Sequence, residues 1–182
     1  MRRTLKDGIG PQVPLEVYLR SSEYEPDAEY VDGRIEERPV GEFDHAAWQR
    51  TIMKWFLLHE DDWNIFVFPE LRVLVRPGQF RVPDITVIDQ NQRLAIDRYV
   101  TEPPLAVFEI LSPEDSIVRI DPKLEEYSAM GISQIWLVNP DDGSISQYKD
   151  RVLFPVERFT VPSHKIDFSP SEMKALLPKL RP

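Results

Sequence analysis

Two apolar runs in the middle of the chain constrain the fold most. Phe80-Arg81-Val82-Pro83-Asp84-Ile85-Thr86-Val87-Ile88 and Leu105-Ala106-Val107-Phe108-Glu109-Ile110-Leu111 read as buried strands, each with one carboxylate among core residues. A carboxylate buried without a partner is expensive, and its pKa can rise by about 3–5 units until it protonates. A cation is therefore expected beside Asp84 and Glu109. Asp121-Pro122-Lys123 reads as the opening of a helix, with Lys123 in its first turn. An aspartate on one strand, a glutamate on the next and a lysine close behind suit metal-assisted hydrolysis. Mg²⁺ prefers oxygen ligands and takes one or two carboxylates, leaving water and substrate phosphate to complete its shell.

The flanking elements supply a sheet for these runs. Residues 1–12 read as a flexible lead-in, and Pro14 to Leu19 as a short helix. An acidic stretch, Glu23 to Glu29, leads into a hairpin of Glu29-Tyr30-Val31 and Arg34-Ile35-Glu36, because Asp32-Gly33 suits a two-residue type I′ turn. Pro39-Val40-Gly41 ends it. A helix capped by Asp44 and running to about Leu58 places Trp48, Ile52, Trp55, Phe56 and His59 on one stripe.

Beyond that helix, Asp61-Asp62-Trp63-Asn64 breaks the pattern. Ile65–Phe68 and Leu71–Val75 read as one interrupted strand, against which Phe80–Ile88 returns as a hairpin. Gln90 to Thr101 reads as a loop or short helix, and Ser112 to Ser116 as a loop. A helix over 122–130 stops at Gly131, and Gln134–Val138 is another buried strand, so a parallel crossover is expected. The tail holds strands over 144–149 and around 153–159, then a short helix capped by Ser171. The fold class is α+β, a mixed sheet with helices on its faces, in one domain of 182 residues.

Composition narrows the function. With no cysteine, disulfides, zinc–thiolate sites and thiol catalysis are excluded. No apolar run is long enough to span a bilayer and the N-terminus lacks a signal-peptide core, so a cytoplasmic location without membrane partners is expected. The net charge is −9. From Arg119 onward nine basic residues balance nine acidic ones, so the whole excess lies in the first 118 residues. A phosphate backbone would need a local basic lining or a metal. Trp48, Trp55, Trp63 and Trp136 read as core, His59 and His164 lie in no ligand spacing, and Ser112 has no nearby His–Asp pair.

Several of these segments resemble one family. Arg81-Val82-Pro83-Asp84, Phe108-Glu109-Ile110-Leu111-Ser112-Pro113, Lys123-Leu124-Glu125-Glu126-Tyr127 and Gly131 to Val138 are similar to the Uma-type (Uma-two) family of the PD-(D/E)XK nuclease superfamily. Glu29 to Ile35 and His45 match its pattern too, so the resemblance runs from about Glu29 to Tyr148. It implies a restriction-endonuclease-like fold with Mg²⁺, or Mn²⁺, at Asp84 and Glu109. It also implies hydrolysis of DNA, duplex DNA first, by an enzyme able to act as a homodimer. The superfamily's lysine sits two residues after the glutamate, where this chain has Leu111. Lys123 is its natural replacement, acting on the nucleophile or the transition state. Glu29 is implied as an additional acid near the metal, and His45 as a supporting group at the helix end. Two rivals stand beside this reading: a catalytically inactive binding or assembly module, and a metal-dependent hydrolase of a smaller phosphate compound.

Overall fold

The chain builds two main sheets and passes between them three times, and the candidate site lies where it crosses. The computed structural model describes residues 9–20, 28–38, 42–93, 99–113 and 117–179. The acidic stretch over 23–27, the hairpin end at 39–41 and the loop centre at 114–116 lie outside the described residues.

The N-terminal part contains β1 (Ile9–Gln12), α1 (Leu15–Arg20), β2 (Ala28–Val31), β3 (Arg34–Glu37) and α2 (Phe43–Leu57). The expected lead-in thus gives way at Ile9 to a strand that pairs antiparallel with β3. The β2–β3 hairpin has the expected turn, with Asp32 at φ 48° and Gly33 at φ 80°. A type I′ turn needs positive φ at both positions, which Asp and Gly adopt at low cost. In α2 the residue at the N-cap is Glu42, and Asp44 lies within the first turn, where its charge still favours the positive end of the helix dipole.

There follow α3 (Glu60–Trp63), β4 (Ile65–Pro69), β5 (Val73–Arg76), β6 (Gln79–Arg81), β7 (Ile85–Asp89) and β8 (Ala106–Ile110). The segment expected only to break the helical stripe is itself a short helix, α3, closed by Asn64 in the left-handed conformation. The interruption expected between Phe68 and Leu71 is present, and Phe80–Ile88, expected as one strand, is broken in two as well. β5 pairs with β6 in one sheet, and β4 pairs with β7 in the other. The breaks fall at Glu70, with φ 51°, and at Val82-Pro83-Asp84, where Pro83 has no N–H to give a ladder. Asp84 therefore stands just ahead of β7 rather than inside a strand.

The remainder comprises α4 (Ile117–Met130), β9 (Ile135–Asn139), β10 (Ser144–Lys149), β11 (Val152–Pro155), β12 (Phe159–Val161), β13 (Ile166–Phe168) and α5 (Pro170–Lys174). α4 starts five residues before the expected opening, so Pro122 lies inside it and Lys123 sits in its second turn. The strand expected around 153–159 is two, β11 and β12. The cap of α5 is Ser169, which forms a capping box with Glu172.

One sheet has the order β1-β3-β2-β6-β5 and the other β11-β10-β9-β8-β7-β4. β8 and β9 are parallel, joined through α4, and every residue of β8 is buried. A strand covered on both faces reads as a continuous apolar run, which is how β8 appears in the sequence. Side chains alternate between the faces. Ala106, Phe108 and Ile110 join Ile52 and Phe56 of α2 in one core; Val107 joins Leu124 and Tyr127 of α4 in the other. Glu109 shares the α4 face. Among the described residues no helix is long and apolar enough to cross a membrane.

Candidate active site

Strand register brings the two acids together. Ile85 pairs with Phe108 and Thr86 with Val107 in the antiparallel β7–β8 ladder. One step further, Asp84 comes beside Glu109, and the Ile110 N–H donates to Asp84 Oδ2 at 2.7 Å. Both carboxylates are almost fully buried.

The cation predicted from burial cost is present. Lys123 Nζ lies 2.9 Å from Glu109 Oε2 and 2.7 Å from Glu29 Oε1, and Lys123 is itself buried. Glu29, on β2, also accepts from the Val82 N–H at 3.0 Å and pairs with Arg81 at 2.8 Å. His45 Nε2, in the first turn of α2, lies 3.3 Å from Asp84 Oδ2. The five residues singled out from the sequence, Glu29, His45, Asp84, Glu109 and Lys123, thus form one connected cluster drawn from both sheets and both long helices.

Three participants were not singled out. Arg38, just past β3, forms an ion pair with Asp84 Oδ1 and lies 3.8 Å from Glu70. Sequence alone carries no signal for it. The Tyr127 hydroxyl donates to Glu109 Oε1 at 2.7 Å. A signal for Tyr127 exists, since it follows Lys123 by four residues and so shares its helix face. Gln49 donates to the Asp84 carbonyl at 3.2 Å, fixing the backbone that carries the acid. Arg81 holds Glu29 and Glu126, the latter at 2.6 Å.

The electrostatics separate the acids. Burial raises the Glu29 pKa, but Lys123, Arg81 and the Val82 N–H outweigh it and hold the group at about 2. Glu109 shares Lys123 and otherwise has a neutral phenol for a partner. Burial dominates there, the charges of Asp84 and Glu29 add to it, and Glu109 is pushed up to about 7. Asp84 resists its burial through the His45 bond and the Arg38 charge, and its pKa is lowered. Lys123 also loses hydration, yet Glu109 and Glu29 hold its pKa above the ordinary lysine value. The ammonium stays charged.

The donor set fits a hard divalent cation. Asp84 and Glu109 supply two carboxylates, the number Mg²⁺ commonly takes from a protein. Glu109 is the acid its neighbours stabilise least, because burial outweighs Lys123 and raises its pKa to about 7. Among the described residues no group of three or more His, Cys, Asp or Glu side chains is arranged around an ion position. A metal here would depend on this pair, with water and substrate oxygens for the rest.

A mixed sheet with helices on its faces gives the chain a restriction-endonuclease-like α+β fold. A crystal structure from Anabaena variabilis, titled as a "putative nuclease belonging to DUF820", shares this fold. Its TM-score is 0.71 at 23% identity, covering 91% of this chain and 99% of that one. The chain belongs to the Uma2 family, described as "Putative restriction endonuclease", whose model matches residues 15–162. No curated protein matches it.

Proposed function

We propose that this chain is a divalent-metal-dependent endonuclease that hydrolyses DNA phosphodiester bonds, with Asp84 and Glu109 as metal ligands. The observation that carries this reading is the meeting of Asp84, Glu109 and Lys123, from three separate elements, in one buried cluster. A bound Mg²⁺ or Mn²⁺ would supply Lewis acidity, making water more acidic and offsetting charge on phosphate oxygens.

The chain's own residues do the rest. Lys123, kept charged by two carboxylates, presents a fixed donor to the attacking water or to a phosphoryl oxygen, and a fixed charge in a dry site stabilises a transition state strongly. Water loses a proton to solvent as its oxygen adds to phosphorus, the bond to the leaving oxygen breaks, and that oxygen takes a proton. His45, half-buried and with its pKa raised by the Asp84 bond against the cost of burial, is placed to give one. Glu29 and Tyr127 hold Lys123 and Glu109 in position.

Duplex DNA is the substrate we favour, with a homodimer as the acting form. The net charge of −9 gives DNA no broad attraction, so affinity must come from the site and its metal. The test is binding of labelled duplex DNA with and without Ca²⁺, which takes oxygen ligands in looser geometry than Mg²⁺. Binding by the native chain in Ca²⁺, lost in Asp84→Ala, supports the reading. Tight metal binding without DNA binding would replace it with hydrolysis of a smaller phosphate compound.

A further inference from the structure

Asp84 has a partner on each carboxylate oxygen. Arg38 takes Oδ1; the Ile110 N–H and His45 take Oδ2. The backbone donor is fixed by the sheet, but Arg38, which is half-buried, is held differently from the buried Arg81. Arg81 is clamped by Glu29, Glu36 and Glu126, the three within 3.3 Å. Among the described residues Arg38 pairs closely with Asp84 alone, its next carboxylate being Glu70 at 3.8 Å, and Glu70 is 34% exposed while Arg38 is 14% exposed. Arg38 thus stands between the buried acid and an acid nearer solvent.

Charge balance gives this placement a consequence. Asp84, Glu109 and Glu29 are met by Lys123, Arg38 and the share of Arg81 that Glu29 receives, so the inner cluster is close to neutral without a metal. A divalent ion on Asp84 and Glu109 would overcharge it unless a cation withdraws. Lys123 is buried and held by two acids, at 2.7 Å and 2.9 Å, so it is the harder of the two to withdraw; Arg38 has one close acid and can leave.

We propose that Arg38 is an exchangeable cation, closing Asp84 in the free protein, yielding it to a divalent metal, and then pairing with a non-bridging oxygen of the substrate phosphodiester. A planar guanidinium matches phosphate oxygens as well as it matches a carboxylate, so one side chain serves both states. Glu70 keeps the displaced guanidinium nearby. This rests on Asp84 and Glu109 holding a divalent ion.

The experiment measures two ligands on the full chain. Mn²⁺ binding is followed by calorimetry, and binding of a labelled duplex in Ca²⁺ by anisotropy over a range of salt. Arg38→Met and Arg38→Lys are compared with the native chain, and Arg76→Met, which removes only an exposed pair with Asp32, serves as control. If the closed pair occupies Asp84 about nine-tenths of the time, R38M binds Mn²⁺ about tenfold more tightly. Duplex binding weakens in the same variant, with its salt slope reduced by about one charge. If R38M fails to fold, R38K carries the test. Its single-point ammonium grips Asp84 and phosphate less well, so both changes keep their sign. Equal Mn²⁺ affinity in variant and native chain overturns the exchange and leaves the metal reading standing. Tighter Mn²⁺ binding with unchanged duplex affinity and salt slope overturns the phosphate half. Absence of Mn²⁺ binding from every chain overturns the metal reading and this proposal with it.

Discussion

Lys123 and Glu109 are 14 residues apart in sequence and 2.9 Å apart at Nζ and Oε2, with both side chains buried. The helix that leads from β8 to β9 turns back over the strand it has left, and the pair is the result. Breaking a buried pair by removing one partner costs about 3–5 kcal/mol, because the remaining charge stays buried. Lys123→Met strands Glu109 and half of the Glu29 network, so a loss in that range is expected in urea denaturation, with cleavage activity abolished. A loss no larger than that of an exposed lysine such as Lys149 would show that the cluster does not bear this weight.

Stability should depend on pH through the two glutamates in opposite senses. Glu109, burial-raised to about 7 from an ordinary 4.5, holds a proton in the folded state that the unfolded chain has released. Its contribution is fully present below 4.5 and is lost as pH rises through about 7. Glu29, lowered to about 2, contributes stability above 4.5 that is lost as pH falls toward about 2. Thermal melts of the metal-free protein should therefore show the midpoint falling from about pH 5 to about pH 7.5, and Glu109→Gln should flatten that fall. The same decline in both proteins would remove Glu109 as its source. Metal affinity should rise over this interval, since the ligand must lose its proton.

Tyr127 holds Glu109 through the 2.7 Å hydroxyl bond. Tyr127→Phe deletes the donor while keeping the ring, leaving one carboxylate oxygen without that partner, which costs about 1–3 kcal/mol. With less stabilisation of the charged carboxylate, the rising limb of the pH–rate profile should move to higher pH. A drop in rate with an unmoved profile would assign Tyr127 to packing alone.

Phe56 lies at the centre of the α2-side core, fully buried, with rings of Phe108, Phe159, Phe168 and Trp63 within 6 Å between centroids. Phe56→Ala should cost about 3–5 kcal/mol by denaturation, from lost transfer energy and the cavity left behind. Phe66→Ala, 40% exposed on the edge strand β4, is the contrast and should cost far less.

How far the sequence carries depends on the kind of interaction. Glu109 and Trp136 were legible as strand residues because a strand covered on both faces is apolar throughout. Asp32-Gly33 was legible because few residue pairs take positive φ at both positions. The split of Phe80–Ile88 between two sheets was not, since apolar runs do not say which strand they pair with, and Glu70 is an ordinary residue in an uncommon conformation. Pro122 misled because proline usually opens a helix, whereas α4 carries it in its interior. Arg38 was illegible altogether. Its meaning comes from Asp84, 46 residues away, and long-range ion pairs leave no local pattern.

The most direct test of the central claim is cleavage of supercoiled plasmid in Mg²⁺ or Mn²⁺ by the native chain beside Asp84→Ala and Lys123→Met, each checked for folding by circular dichroism. The account predicts nicking or linearisation by the native chain, dependent on the ion and absent from both variants. Equal cleavage by the native chain and Asp84→Ala would contradict it.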